Sequence, residues 1–155
     1  MKNRKTSIVI LAITVVLIVA FIFGNSLKSS EESAKDSDAI ASAIGPILEM
    51  ILGREIENIG YVVRKLAHFT EFCALGLATT GLVITIGSRC EWGLYGYGVL
   101  FCLIIAVCDE FIQSFVDRGS SVSDVLIDFG GAIFGFFVIL LISKMKMSKK
   151  LINNK

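Results

Sequence analysis

The stretch RKLAHFTEFCALGLATTGL, Arg64 to Leu82, places Arg64, Lys65, His68 and Glu71 within its first eight residues and carries no further charge. An uncharged run of this length after a cluster of ionisable groups reads as a membrane-spanning helix with a polar mouth. A hydrocarbon core of about 30 Å needs about 20 helical residues to cross it. On such a helix Arg64, His68 and Glu71 stand at i, i+4 and i+7 and share one face. Membrane-embedded ions are costly and normally face a bundle interior or a wet cavity. This one stretch therefore raises the question of fold and the question of function together.

The rest of the chain repeats the pattern. Of its 155 residues, 54% are apolar in type and 19% charged, a balance that favours an integral membrane protein over a soluble domain. Apolar runs occupy Ile8–Phe23, Leu66–Ile86, Trp92–Phe115 and Val125–Ser143. Four strands cannot close a membrane barrel, which needs at least about eight. The expected fold is an all-α membrane protein of a single domain, 1–155, with helices near 6–24, 65–87, 92–115 and 124–144. Lys2, Arg4 and Lys5 ahead of the first run resemble the start of a signal peptide. FGNSLKS after it offers no small-residue cleavage pattern, so a retained anchor is expected.

Charge sets the expected orientation. MKNRK at the start and KMKMSKKLINNK at the end are purely basic, so both termini are expected in the cytoplasm. The segment 24–64 is then extracytoplasmic. Its first part, 24–39, reads as irregular. Apolar residues at Ile40, Ile44, Ile47, Leu48, Ile51, Leu52, Ile56 and Ile59 predict short amphipathic helices on the membrane surface, interrupted near Pro46. They serve either as a cap on the bundle or as a lid over a lipid-accessible entrance.

With this topology three helices deliver ionisable groups to the outer leaflet. The second brings Arg64, Lys65, His68 and Glu71. The third ends in CDEFIQSFVDRG, with Asp109, Glu110, Gln113 and then Arg118. The fourth begins SDVLIDFGG, with Asp124 and Asp128. The expected result is a wet polar pocket lined by Arg64, His68, Glu71, Asp109, Glu110, Gln113 and Asp128. Simpler structural roles compete at some positions: ion pairing that holds the bundle together, for Arg64, Lys65, Arg118 and Asp117, headgroup snorkelling for the basic residues, and N-capping for Asp124. Asp128 lies too deep to cap. GAIFG, Gly131–Gly135, permits close helix contact. Cys73, Cys90, Cys102 and Cys108 form no scaffold pattern and read as small buried hydrophobes, with a Cys73–Cys108 bridge as a lesser alternative.

Histidine beside carboxylates suits general acid–base work. Arg64 and Arg118 suit an anionic headgroup such as phosphate. A metal site built on His68, Glu71 and an acid from the third helix is a weaker reading, because one histidine makes a poor transition-metal site. No metal ligand is assigned, and the sequence names no cofactor. The near-neutral net charge of +1 gives no reason to expect a nucleic-acid partner.

RKLAHFTEF together with DEFIQSFVDRGSSVSDVLIDFGG resembles the VanZ-like family of bacterial integral membrane proteins, and NSLKSSEES after the first run is similar to its Gram-positive members. The likeness spans about 23–136. The family pattern falls on Lys65, His68, Glu71, Asp109, Glu110, Gln113, Arg118, Asp124 and Gly131, whereas many relatives carry Asn in place of Asp128. The resemblance implies a multi-pass protein of the bacterial cell membrane, similar to teicoplanin resistance proteins. Combined with the pocket, it leads to an expected handling or modification of an anionic lipid or lipid-linked cell-wall precursor at the outer leaflet. His68, Glu71, Asp109 and Glu110 are the candidate catalytic residues. Arg64, Lys65, Gln113, Arg118, Asp124 and Asp128 are the candidates for substrate binding. The alternative is a non-catalytic lipid-binding protein or a structural partner of another membrane protein.

Overall fold

The computed structural model describes residues 2–53, 58–87, 92–116 and 118–153, and every regular element among them is helical. In chain order these are α1 (Lys2–Ser26), α2 (Ser30–Leu52), α3 (Ile59–Ile86), α4 (Trp92–Gln113) and α5 (Val122–Asn153). Four of them are long and apolar enough to cross a membrane, over Asn3–Ser26, Ile59–Ile86, Gly93–Gln113 and Val122–Met145. The protein is thus an all-α, multi-pass membrane protein. Val9, Ile13, Val16, Leu17 and Phe21 of α1 all stand exposed on the bundle, where lipid rather than water meets them without penalty.

Helix α3 is the hub, packing most extensively on α5 and then on α1. The α3–α5 contact is made by backbone. A methyl group on Gly131 would collide with the Phe69 carbonyl, one on Gly135 with the Cys73 carbonyl, and one on Gly76 with the Ala132 carbonyl. Apolar helices gain little hydrophobic attraction from each other in lipid, so close van der Waals approach takes its place. Ile22, Phe72, Leu75 and Ala106 fill the centre and are fully buried. Cys73, Cys102 and Cys108 are free thiols, so no Cys73–Cys108 bridge forms. Cys90 and Asp117 lie outside the described residues.

The segment after α1 differs from its expected irregular start and interrupted helices. It forms one amphipathic helix, α2, of 23 residues. The polar density that suggested a loop is a helix start: the Ser29 hydroxyl accepts from the Glu32 N–H while the Glu32 carboxylate accepts from the Ser29 N–H. Pro46 removes the N–H that would bond the Ser42 carbonyl, yet the helix runs through it. Tertiary contact explains the tolerance, since Ala41 is buried and Gly45 sits against the Ile59 side chain. Gly53, at φ 66°, ends the helix. Ile40, Ile47, Met50 and Ile51 form an exposed apolar face.

At one end of the bundle the Arg4 guanidinium donates to the Thr85 and Ile86 carbonyls, at 2.9 and 2.6 Å. The other end gathers the close of α1, the start of α3, the close of α4 and the start of α5, with α2 packed against α3. Four crossings leave the start of α1 and the close of α5 at the same end.

Candidate functional site

The polar residues collect at the α2 end. Asp109 and Asp128 are completely buried, Glu110, Gln113 and Arg118 nearly so. Helical register explains the grouping. α4 turns Asp109 and Gln113 inward from one face, and the Gln113 amide donates to Asp109 Oδ2 at 2.7 Å. α5 sends Asp128 inward one turn below Asp124. α3 supplies His68 between them, its Nδ1 3.6 Å from Asp109 Oδ2 and 3.5 Å from Asp128 Oδ1. The Ser26 hydroxyl, at the end of α1, faces the other Asp109 oxygen as well as the Ile22 carbonyl.

The cationic side lies across the histidine ring. Arg118 Nη2 is 3.5 Å from His68 Nε2, while Arg118 Nη1 donates to the Asn25 carbonyl at 3.3 Å. The Asn25 amide donates to Glu71 at 2.8 Å. Burial pulls the Arg118 pKa down, and the Arg64 guanidinium nearby pulls it further. An anion between the two arginines relieves both costs.

Two cavities meet at this point. One of about 160 Å³ is bordered by Tyr61, Lys65, Glu110, Gln113, Asp124 and Asp128. The second, about 470 Å³, opens between α1, α2 and α3 past Phe21, Asn25, Ile40, Val63 and Glu71. Arg64, His68 and Arg118 line both. Asp109 lies behind the histidine and lines neither of the two, which departs from its expected place on the pocket wall.

Several candidates have structural partners. Lys65 pairs with Asp124, each about one-fifth exposed. Asp124 sits in the first turn of α5 instead of capping it, and its own N–H donates to the Ser121 carbonyl. Glu110 accepts from the Ser121 N–H at 2.8 Å and so ties the end of α4 to the approach to α5. Its other oxygen is buried and has no hydrogen-bond partner among the described residues. Sequence reasoning missed Asn25 and Ser26 as members of the site. Their signal was the polar pair closing an apolar helix, in register with a buried carboxylate that only folding brings near.

No curated protein and no solved structure matches the chain. A family model described as VanZ/LLP1 matches residues 11–143, which takes in most of the first and fourth crossings, all of the two between them and both cavities. A chain matched over that length, with polar groups drawn together from all four crossings, belongs to the VanZ/LLP1 family.

Proposed function

We propose that this membrane protein binds an anionic lipid or lipid-linked cell-wall precursor at the outer leaflet and modifies its headgroup. The observation that carries the reading is the junction of the two cavities, where Arg64, His68 and Arg118 form a shared wall. Two guanidinium groups on one cavity wall favour a phosphate-like anion. The larger cavity has Phe21, Ile40 and Val63 on its walls, which suits an acyl or prenyl chain arriving from the bilayer. The basic termini support a reading in which the α2 end faces away from the cytoplasm.

His68 is the group for proton handling, with Asp109 and Asp128 behind Nδ1 and the headgroup site in front of Nε2. Glu71 and Glu110 complete the acidic border, and Lys65, Gln113 and Asp124 shape the smaller cavity. Modification of such a lipid would connect this site with the teicoplanin susceptibility that the resemblance implies.

The test is a paired measurement in lipid nanodiscs: binding of phosphatidylglycerol and of a polyprenyl phosphate, and mass change of either lipid on incubation with cell-envelope extract. Arg64→Ala and Arg118→Ala are expected to weaken binding at least tenfold. His68→Gln is expected to keep binding and lose product. Product formation at the wild-type rate by His68→Gln removes the histidine from the reaction. Retained binding with no product from the wild-type protein favours a lipid-binding role without catalysis.

A further inference from the structure

We propose that His68, Asp109 and Asp128 hold a first-row divalent cation, of the zinc or manganese class, directly behind the headgroup site. The proposal rests on the reading of that site and adds a metal to it. One ligand atom from each of the three residues lies within 4.8 Å of the other two. The histidine nitrogen is 3.5 and 3.6 Å from the two carboxylate oxygens. Such separations are too long for good hydrogen bonds. They match two ligands sharing one ion, since donors about 2.0–2.1 Å from a tetrahedral metal stand about 3.3–3.4 Å apart.

A second observation concerns the partners these atoms have elsewhere. Asp128 is wholly buried, and apart from the 3.5 Å approach of His68 Nδ1 to its Oδ1 neither oxygen has a partner among the described residues. His68 Nδ1 is likewise buried and unpartnered by hydrogen bonds. Buried polar atoms are ordinarily satisfied, and an orphaned carboxylate facing an orphaned imidazole nitrogen calls for a cation or a proton between them. Charge favours the cation. The site gathers five carboxylates, Glu71, Asp109, Glu110, Asp124 and Asp128, against Arg64, Lys65 and Arg118. Counted as fully ionised and with a neutral imidazole, these groups leave two formal negative charges, which one divalent ion offsets.

Metal at Nδ1 also assigns the other ring nitrogen. Nε2 must then carry the proton, and its N–H stands beside Arg118 Nη2 at 3.5 Å. Two donors cannot bond each other, but they can share one anionic oxygen. Arg118 keeps its bond to the Asn25 carbonyl and gives up only the ring contact. With the metal bound, His68 is a fixed N–H donor to the headgroup in place of the proton-handling group, and although one histidine alone makes a poor transition-metal site, two buried carboxylates beside it give a donor set that suits manganese or zinc. Three protein ligands leave a further coordination position free.

The experiment uses the full chain in detergent micelles without added lipid. After chelator treatment, Zn²⁺, Mn²⁺ and Mg²⁺ are titrated separately, and bound metal is counted by elemental analysis. Co²⁺ is added in a parallel sample for its visible spectrum. The expected result is one Zn²⁺ or Mn²⁺ per chain, bound at least tenfold more tightly than Mg²⁺, and a cobalt spectrum with nitrogen ligation. Asp128→Ala and His68→Gln each weaken binding at least tenfold, whereas Glu71→Gln, an acid outside the triad, retains it. Helicity and gel filtration check that the variants fold, and the wild-type titration stands whether or not they do. No saturable binding to the wild-type protein, or equal binding in the double variant His68→Gln/Asp128→Ala, overturns the proposal and leaves a shared proton as the link. Lipid binding is measured separately on the chelated protein. Intact lipid binding without a metal site removes this inference alone, and a metal site without lipid binding removes the headgroup reading alone.

Discussion

At the scale of single residues, Asn25 shows how a modest side chain holds a costly site together. Its amide donates to the half-buried Glu71 carboxylate and its carbonyl accepts from Arg118, so one residue at the end of α1 bridges α3 and the α4–α5 connection. The backbone carbonyl survives substitution, whereas the amide does not. Hydrogen bonds to charged groups contribute about 1.5–3 kcal/mol, so Asn25→Ala is expected to destabilise the protein by roughly that amount. Asn25→Asp is expected to do worse, because it sets a second carboxylate against Glu71. Thermal unfolding of the purified variants in micelles measures both. Asn25→Asp with wild-type stability would show that the Glu71 contact does not matter.

At the scale of elements, the bundle depends on the α3–α5 seam. Gly76, Gly131 and Gly135 let the two backbones touch, and no side chain fits between Gly131 and the Phe69 carbonyl. That approach also brings Asp128 to His68, since Gly131 lies one turn below Asp128 and Phe69 lies next to His68. Overpacking costs about 1–3 kcal/mol at a tight contact, so Gly131→Val and Gly135→Val are each expected to lower stability by that order. Gly130→Ala, one residue away in open space, is expected to change it little. Melting of the three variants side by side in micelles is the check, and equal melting temperatures would contradict a backbone-to-backbone seam.

At the scale of the whole molecule, the position of the site in the cell follows from which end faces out. Exposed Ser42 on α2 and exposed Ser120 before α5 lie at the end that carries the site. Single cysteines there, in a background lacking the native four, are expected to react with a membrane-impermeant maleimide on intact cells. A cysteine at Ser148 is expected to react only after permeabilisation. Labelling of Ser148 in intact cells would invert the orientation and put the headgroup site on the cytoplasmic leaflet.

The four crossings were legible in the sequence because a bilayer imposes a length and a composition on any helix that spans it. Ile8–Phe23 and Val125–Ser143 needed no neighbour to be recognised. The common depth of His68, Asp109 and Asp128 was also legible, from chain direction and register alone. α2 was less so, because Ser, Glu and Lys are used both by loops and by capped helices. Its passage through Pro46 depends on packing against α3, which a local reading does not contain. Only the tertiary structure decided which polar groups meet. Asp109 withdrew behind the imidazole, Lys65 turned to Asp124, and Asn25 and Ser26 joined from a helix that carries no charge near them. Depth along a helix is set by counting residues. The rotation of one helix against another is set by side chains and glycines fitting together, and that fit exists only once the helices have packed.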